Sequence, residues 1–153
     1  MRFSAVDIGS NAVRLLFCQV REDKLGLVIK KISLVRLPIR LGEDVFVEER
    51  ISEDKISKLS KALASFSLLS DVYDVVDHRF CATSAMREAE NGKEVVAKIR
   101  KESGTNIEII DGKEEAQLVF DTHLSKELDK NKIYLYVDVG GVQSLLFYQM
   151  VKN

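Results

Sequence analysis

The sequence lacks several features that would assign a chain to a specialised class. Its 153 residues include no tryptophan, one proline and two cysteines, and its formal net charge is −1. A chain without excess positive charge offers no electrostatic basis for binding nucleic acid or an anionic membrane surface. Cys18 and Cys81 do not have the C-x-x-C spacing of metal and redox sites. We expect both cysteines to be reduced residues of the core.

Long apolar runs are also absent. No segment reaches the roughly 20 apolar residues that a membrane-spanning helix needs. The first predicted strand starts almost at Met1 and leaves no room for a signal peptide, so a cytoplasmic location is expected. The length, with 46% apolar and 31% charged residues, is typical of one soluble globular domain with a single core.

One short pattern occurs twice, once near each end of the chain. The segments are AVDIGSNAVRLLFCQV at 5–20 and YVDVGGVQSLLFYQM at 136–150. In each, an apolar strand brings a carboxylate, Asp7 or Asp138, to a glycine turn, and a second apolar strand follows. The second copy has one residue fewer before its Leu-Leu-Phe. An internal repeat of this kind predicts two related β-hairpins.

A strand, a carboxylate and a glycine turn suit a site for phosphate and a cation. Glycine lets the backbone approach a ligand closely, and successive turn N–H groups can form a nest for an anion. A carboxylate can hold Mg²⁺, which keeps most of its waters and bridges to substrate phosphates. The simpler interpretation is two ordinary hairpins with Asp and Gly in their turns, and it is favoured for a single copy. The repetition favours a binding site.

The intervening sequence predicts alternating strands and helices. Residues 25–34 are predicted to form a third strand of an antiparallel meander, and the GED of 42–44 to close the extended segment after it. A helix is expected from the capping Ser52 to about residue 70, with Lys55 on its solvated side. Further predicted elements are a strand at 77–82, a helix at 93–103, a strand at 107–110 and a helix that begins with Glu114.

Two further segments could carry chemistry. Thr83 and Ser84 follow a strand and open a helix, whose N-terminus favours oxyanions, and Arg87 lies one turn later, where its guanidinium could bind phosphate. Glu114 and Glu115 follow another strand end, and one of them could act as a general base. Helix capping, a surface arginine and acids in a first helical turn explain the same residues structurally. Taken alone, each segment favours this structural interpretation.

Four segments together, in order and with their spacing, resemble the N-terminal part of the exopolyphosphatase/guanosine pentaphosphate phosphohydrolase (Ppx/GppA) family. That family belongs to the superfamily of actin-like, Hsp70-like and sugar-kinase-like ATPase domains. The first and last segments are shared across the superfamily, whereas the middle two are specific to the family. The segments are AVDIGSN at 5–11 with Arg14, ATSAMREA at 82–89, IEIIDGKEEA at 107–116 and VDVGG at 137–141.

The resemblance implies Mg²⁺-dependent hydrolysis of terminal phosphoanhydride bonds in inorganic polyphosphate or guanosine pentaphosphate. By position, Glu115 matches the carboxylate that activates the attacking water, and Asp138 matches an aspartate that organises metal and phosphate. Asp7 is the corresponding metal-binding candidate of the first turn. The implied phosphate-binding residues are Gly9, Ser10, Asn11, Arg14, Arg87, Gly140 and Gly141.

The chain departs from the family pattern in its second turn. The family usually continues Gly-Ser-Thr-Glu after the two glycines, whereas this chain has Val142, Gln143, Ser144 and Leu145. A β-branched residue disfavours positive φ, and a leucine cannot serve a metal as the acid would. A non-catalytic module that senses phosphate or nucleotide is therefore the alternative function. An ATP-dependent kinase of the sugar-kinase type is a weaker one.

The predicted fold is α/β with a ribonuclease-H-like core, as in actin-like ATPase domains. An antiparallel three-stranded meander extends into a mixed sheet with flanking helices. Residues 1–130 are expected to form this domain, and 131–153 the first hairpin of a second, largely absent domain. Because an apolar unpaired hairpin invites pairing, a homodimer through 133–151 is also expected.

Overall fold

A computed structural model describes residues 1–24, 26–123, 135–139 and 145–149, with the backbone alone at 119–123, 135–139 and 145–149. Within these residues, no helix is both long enough and apolar enough to cross a membrane.

Five strands form one mixed sheet. The strands β1 (Arg2–Ile8), β2 (Val13–Asp23) and β3 (Gly26–Leu37) make the predicted antiparallel meander. Next to β1 lie β4 (Asp77–Ala82) and then β5 (Ile107–Ile109), each parallel to its inner neighbour. The sheet order β3-β2-β1-β4-β5 confirms the predicted arrangement.

Five helices complete the first 123 residues: α1 (Leu41–Glu48), α2 (Glu53–Val72), α3 (Ser84–Glu88), α4 (Gly92–Ser103) and α5 (Gly112–His123). The helix α2 begins as predicted, because the Ser52 side chain accepts a hydrogen bond from the N–H of Lys55. The helix α1 was not predicted. It occupies the segment that the sequence assigns to the end of an extended stretch.

The core lies on one face of the sheet. Along β1 the side chains of Val6 and Ile8 are buried, and along β4 those of Phe80 and Ala82 are. They join apolar side chains of α2 and α4 in one cluster, which includes Leu59, Leu63, Phe66, Val95 and Ile99. Since side chains alternate along a strand, Asp7, Arg79 and Cys81 lie on the opposite face.

The helix α1 also changes the environment of Lys55, which the sequence placed in solvent. The Nζ atom of Lys55 lies 2.7 Å from Asp44 Oδ1 and 3.3 Å from Glu43 Oε2, and it donates a hydrogen bond to the Arg40 carbonyl. Only 12% of the Lys55 side chain is exposed. The prediction of a solvated lysine is wrong here, because the unpredicted helix brings two acids against α2.

The second hairpin is present as β6 (Leu135–Val139) and β7 (Leu145–Gln149), which pair antiparallel. Its register differs from that of the first hairpin. Leu15 pairs with Val6, the residue before Asp7, whereas Leu145 pairs with Val139, the residue after Asp138. Relative to the first hairpin, the pairing is therefore shifted by two residues. The second turn itself, residues 140–144, lies outside the described residues.

Candidate functional site

A cleft of about 550 Å³ opens on the sheet face opposite the core, beside the turn between β1 and β2. Glu115 and Leu118 of α5 form part of its wall. Six of the residues predicted for the site line this cleft: Asp7, Gly9, Ser10, Asn11, Arg14 and Glu115. The structure therefore brings the first turn and the candidate general base to one place, although they lie about a hundred residues apart in sequence.

Asp7 and Arg14 form an ion pair at the edge of the cleft. They are directly opposite each other in the β1–β2 ladder, and Arg14 Nη1 lies 2.7 Å from Asp7 Oδ2. A Cβ atom at Gly9 would lie 3.6 Å from Arg14 Nη1 and 3.8 Å from Asp7 Oδ1. A side chain at position 9 would therefore contact both members of the ion pair. Glycine leaves the pair accessible to a ligand.

The turn itself is fastened to α1 by backbone hydrogen bonds. The carbonyls of Ser10 and Asn11 accept from the N–H groups of Gly42 and Arg40, at 2.9 and 3.2 Å. The Gly9 N–H donates to the Ala12 carbonyl at 3.1 Å, so it is engaged inside the turn. Phosphate binding by Gly9 stays a prediction. Ser10 and Asn11 of the same turn also line the cleft.

Ser84 joins the first turn to α3. The Ser10 and Ser84 hydroxyls are hydrogen-bonded at 2.9 Å, and both residues line the cleft. The helix α3 spans only five residues, and Thr83 makes no side-chain cap. A helix this short contributes little dipole, so an anion here would depend on the hydroxyls rather than on the helix terminus.

Arg87 and Glu115, from the two family-specific segments, come together beside the cleft. Arg87 Nη1 donates to the Ile110 carbonyl at 2.8 Å and lies 3.6 Å from Glu115 Oε2. Glu115 is a lining residue of the cleft. Arg87 is not, but it lies next to the cleft because it contacts Glu115. Both side chains are mostly covered, with 26% and 35% of their surface exposed. The same Nη1 atom of Arg87 is therefore anchored on the backbone and lies beside the candidate base.

Two lining residues with polar side chains, Arg79 and Cys81, were not predicted from the sequence. Arg79 bridges β5 and α5, because its Nη2 atom lies 2.6 Å from Glu108 Oε2 and 2.8 Å from Glu114 Oε1. Cys81 is half-buried in the cleft rather than part of the core, and burial raises the pKa of its thiol. Cys18 is likewise only partly buried, so the expectation of two core cysteines is wrong, although both are free thiols. The alternation of the 77–82 strand could have found both residues, since Phe80 and Ala82 occupy the buried face.

The predicted residues of the second hairpin are located only in part. Asp138 lies in β6 and pairs with Leu146, while Gly140 and Gly141 lie outside the described residues. Within the described part of the chain, no three His, Cys, Asp or Glu residues converge as a metal site. In the described part of the chain, the carboxylates that line the cleft belong to Asp7 and Glu115, and Asp7 is the one beside the turn. One carboxylate suits Mg²⁺, which is usually bound by one or two carboxylates together with waters and substrate phosphates.

Comparison with known proteins identifies the family. The model of the Ppx/GppA phosphatase family matches residues 19–144. The chain belongs to this family. It is 31% identical over 142 residues to a bifunctional 3-dehydroquinate synthase/phosphatase of Fusobacterium nucleatum, covering 90% of this chain and 21% of that protein. It is 30% identical over 120 residues to exopolyphosphatase 1 of Mycobacterium bovis, covering 78% and 34%.

Solved structures of Ppx/GppA proteins confirm the fold. The crystal structure of the Aquifex aeolicus family member superimposes with a TM-score of 0.78 at 29% identity, covering 97% of this chain and 47% of that one. The predicted actin-like ATPase type of fold, with its mixed sheet and flanking helices, is thereby confirmed. The chain spans about a third or less of the curated relatives described above and about half of this structure.

Proposed function

We propose that this chain is the N-terminal, phosphate-binding part of a Mg²⁺-dependent phosphoanhydride hydrolase of the exopolyphosphatase type. Its substrate would be inorganic polyphosphate or guanosine pentaphosphate, cleaved at the terminal phosphate. The main support is the convergence of Asp7 with Arg14, and of Glu115 with Arg87, at one cleft in a chain of this family.

The geometry suits phosphoryl transfer, which needs an oriented water and charge stabilisation more than covalent chemistry. Glu115 would accept the proton of the attacking water, and the neighbouring Arg87 would orient its carboxylate. Arg14 and the Ser10 and Ser84 hydroxyls would donate to phosphate oxygens. Mg²⁺, held by Asp7 and by Asp138 of the second hairpin, would supply neutralisation of the phosphate charge. The domain boundary near residue 130 and the homodimer through 133–151 belong to the same proposal.

A phosphate-sensing module is the second candidate, and the second turn favours it. Leu145 occupies the position of the family's acid and pairs with Val139 as the first residue of β7. With leucine at this position, the carboxylate that the family offers to the metal is missing. Such a module would bind polyphosphate with Mg²⁺ but would not release phosphate.

The test is Mg²⁺-dependent release of phosphate from long-chain polyphosphate by the wild type and by Glu115→Gln. Loss of a general base lowers turnover by about 10²- to 10⁴-fold, and a loss of that size is expected. Glu48→Gln, at an exposed glutamate of α1, is the matched control for the loss of one charge and should keep wild-type activity.

Equal release by the wild type and Glu115→Gln would contradict the assignment of Glu115 and indicate a contaminating enzyme. No release by either, together with Mg²⁺-dependent binding of polyphosphate, would favour the sensing module or a hydrolase that needs its second domain for turnover. Guanosine pentaphosphate in place of polyphosphate separates the two substrates.

A further inference from the structure

The ion pair between Asp7 and Arg14 is isolated from other charged partners. Within the described residues, each side chain has the other as its only hydrogen-bond and ion-pair partner. The two charges cancel at a distance of 2.7 Å, so a ligand of either sign meets a neutral unit. At the same time 44% of Arg14 and 46% of Asp7 are exposed, and Gly9 adds no side chain over them. The pair is thus within reach of ligands yet already neutralised.

A single ligand would bind such a pair at a disadvantage. A cation that takes Asp7 leaves Arg14 beside it as a repelling positive charge, and a phosphate that takes Arg14 leaves Asp7 as a repelling negative one. When both ligands bind, each charge exchanges one partner for another. Arg14 can bind phosphate oxygens through its fork of donors, and Mg²⁺ can bridge the carboxylate and the same phosphate.

The arginine–carboxylate contact between Arg87 and Glu115 is built differently. Arg87 donates to the Ile110 carbonyl at 2.8 Å and stays anchored whatever Glu115 binds, and its distance to Glu115 is 3.6 Å. Arg14 has no comparable backbone anchor among the described residues. Its guanidinium can turn from Asp7 to a phosphate without losing any other described bond.

We propose that the Asp7–Arg14 pair couples the two ligands of the site, so that a phosphate group drawing Arg14 away releases Asp7 for Mg²⁺. This inference rests on the proposed function, in which Asp7 binds the metal and Arg14 the phosphate. Binding of each ligand then strengthens binding of the other by the same factor, as thermodynamic linkage requires. The free site stays nearly neutral, and either ligand alone binds weakly.

The test begins with Mn²⁺ alone, as a paramagnetic substitute for Mg²⁺, counted by the electron-paramagnetic-resonance signal of the free ion. Arg14→Gln should bind Mn²⁺ about threefold to fivefold more tightly than the wild type, because Asp7 no longer has a competing partner. Asp7→Asn should weaken binding, and the double variant should show no gain over Asp7→Asn.

Arg36→Gln is the matched control. Arg36 lies opposite Arg14 in the β2–β3 ladder, is exposed, and makes no ion pair among the described residues. Its removal takes the same charge from the same sheet face without releasing Asp7. At about 0.15 M salt, where exposed charges beyond about 8 Å are screened, its effect should stay below twofold. A gain for Arg36→Gln as large as for Arg14→Gln would overturn the proposal.

The second measurement adds sulfate, a tetrahedral dianion that leaves most Mn²⁺ free in solution. Sulfate should tighten Mn²⁺ binding by the wild type severalfold and should leave Arg14→Gln unchanged. Equal tightening in both would overturn coupling through Arg14, as would Mn²⁺ binding that is undetectable or insensitive to Asp7→Asn. Hydrolysis is judged separately through Glu115, so loss of turnover with intact coupling would count against the proposed function alone.

Discussion

Two clusters of ion pairs in this chain share a contact distance and differ in their surroundings. Arg14 and Asp7 meet at 2.7 Å on the open face of the sheet, and Lys55 and Asp44 meet at 2.7 Å between α1 and α2. The first pair is almost half exposed, whereas only 12% of Lys55 and 18% of Asp44 are.

The Lys55–Asp44 pair is also saturated by other polar groups. Asp44 accepts from the Ser52 N–H at 3.0 Å, and Lys55 donates to the Arg40 carbonyl and contacts Glu43. The Asp7–Arg14 pair has no such additional partners among the described residues. Contact distance therefore does not separate a structural ion pair from one that can exchange with a ligand. Burial and the number of further partners do.

The largest expected effect on stability is that of Lys55→Met, which removes the cation of the buried cluster. We expect a loss of about 2–3 kcal/mol in the free energy of unfolding, because Asp44 and Glu43 lose their cation while Asp44 stays covered. Arg14→Gln should cost less than about 1 kcal/mol, as exposed pairs do. Both values come from urea unfolding curves.

Lys58→Met serves as the control for removing a lysine from α2. Its pair with Asp54 is exposed and one turn apart in the helix, so a loss of about 0.5 kcal/mol or less is expected. A loss for Arg14→Gln as large as for Lys55→Met would remove the distinction between the two clusters.

A smaller effect is expected at Cys81, whose thiol reports whether a ligand occupies the cleft on the exposed face of the sheet. In a Cys18→Ser background, Mg²⁺ with tripolyphosphate should slow alkylation of Cys81 severalfold, because the thiol lines the cleft. The Cys81→Ser variant reports on Cys18, which is not among the lining residues and should react at an unchanged rate. Equal slowing of both thiols, or of neither, would count against a ligand in this cleft.

The smallest effect concerns Asp44 and pH. Burial, the largest single influence, raises the pKa of Asp44, but hydrogen bonds from Lys55 and Ser52 together outweigh it and hold the pKa below its usual 3.8. A depressed pKa stabilises the folded state above about pH 3.8, and this contribution is lost as the pH falls through the folded-state pKa. The stability difference between the wild type and Asp44→Asn should be constant from about pH 5 to 7 and shrink below about pH 4. A difference that grows on acidification would contradict this assignment.

Sequence reasoning succeeded where local pattern and long-range packing agree. The hairpin strands, the 77–82 strand and α2 carry a clear periodicity, and the structure has them close to the expected bounds. The helix α1 has no such signal. Its segment contains Pro38, a left-handed residue at Arg40 with φ of 57°, and Gly42, all of which are typical of turns. Contacts with the first turn and with α2, rather than propensity, hold this helix in place.

The sequence predicted only those residues of the candidate site that belong to recognisable motifs. Asp7 and Arg14 follow from one segment, and the meeting of Arg87 with Glu115 depends on two segments that the fold brings together. Arg79 and Cys81 were missed because a β-strand exposes two faces, and the sequence alone did not show that the face opposite the core forms a cleft. The register of the second hairpin was missed because residue spacing in the motif does not fix strand pairing.

The attachment of the first turn to α1 has one further consequence. The amides of Arg40 and Gly42 donate directly to the carbonyls of Asn11 and Ser10, and a Cβ at Gly42 would lie 3.0 Å from the Ser10 Cβ. Deuterium uptake at these two amides therefore reports how firmly the turn is closed. A ligand in the cleft can be followed through the backbone of α1, which it does not need to touch.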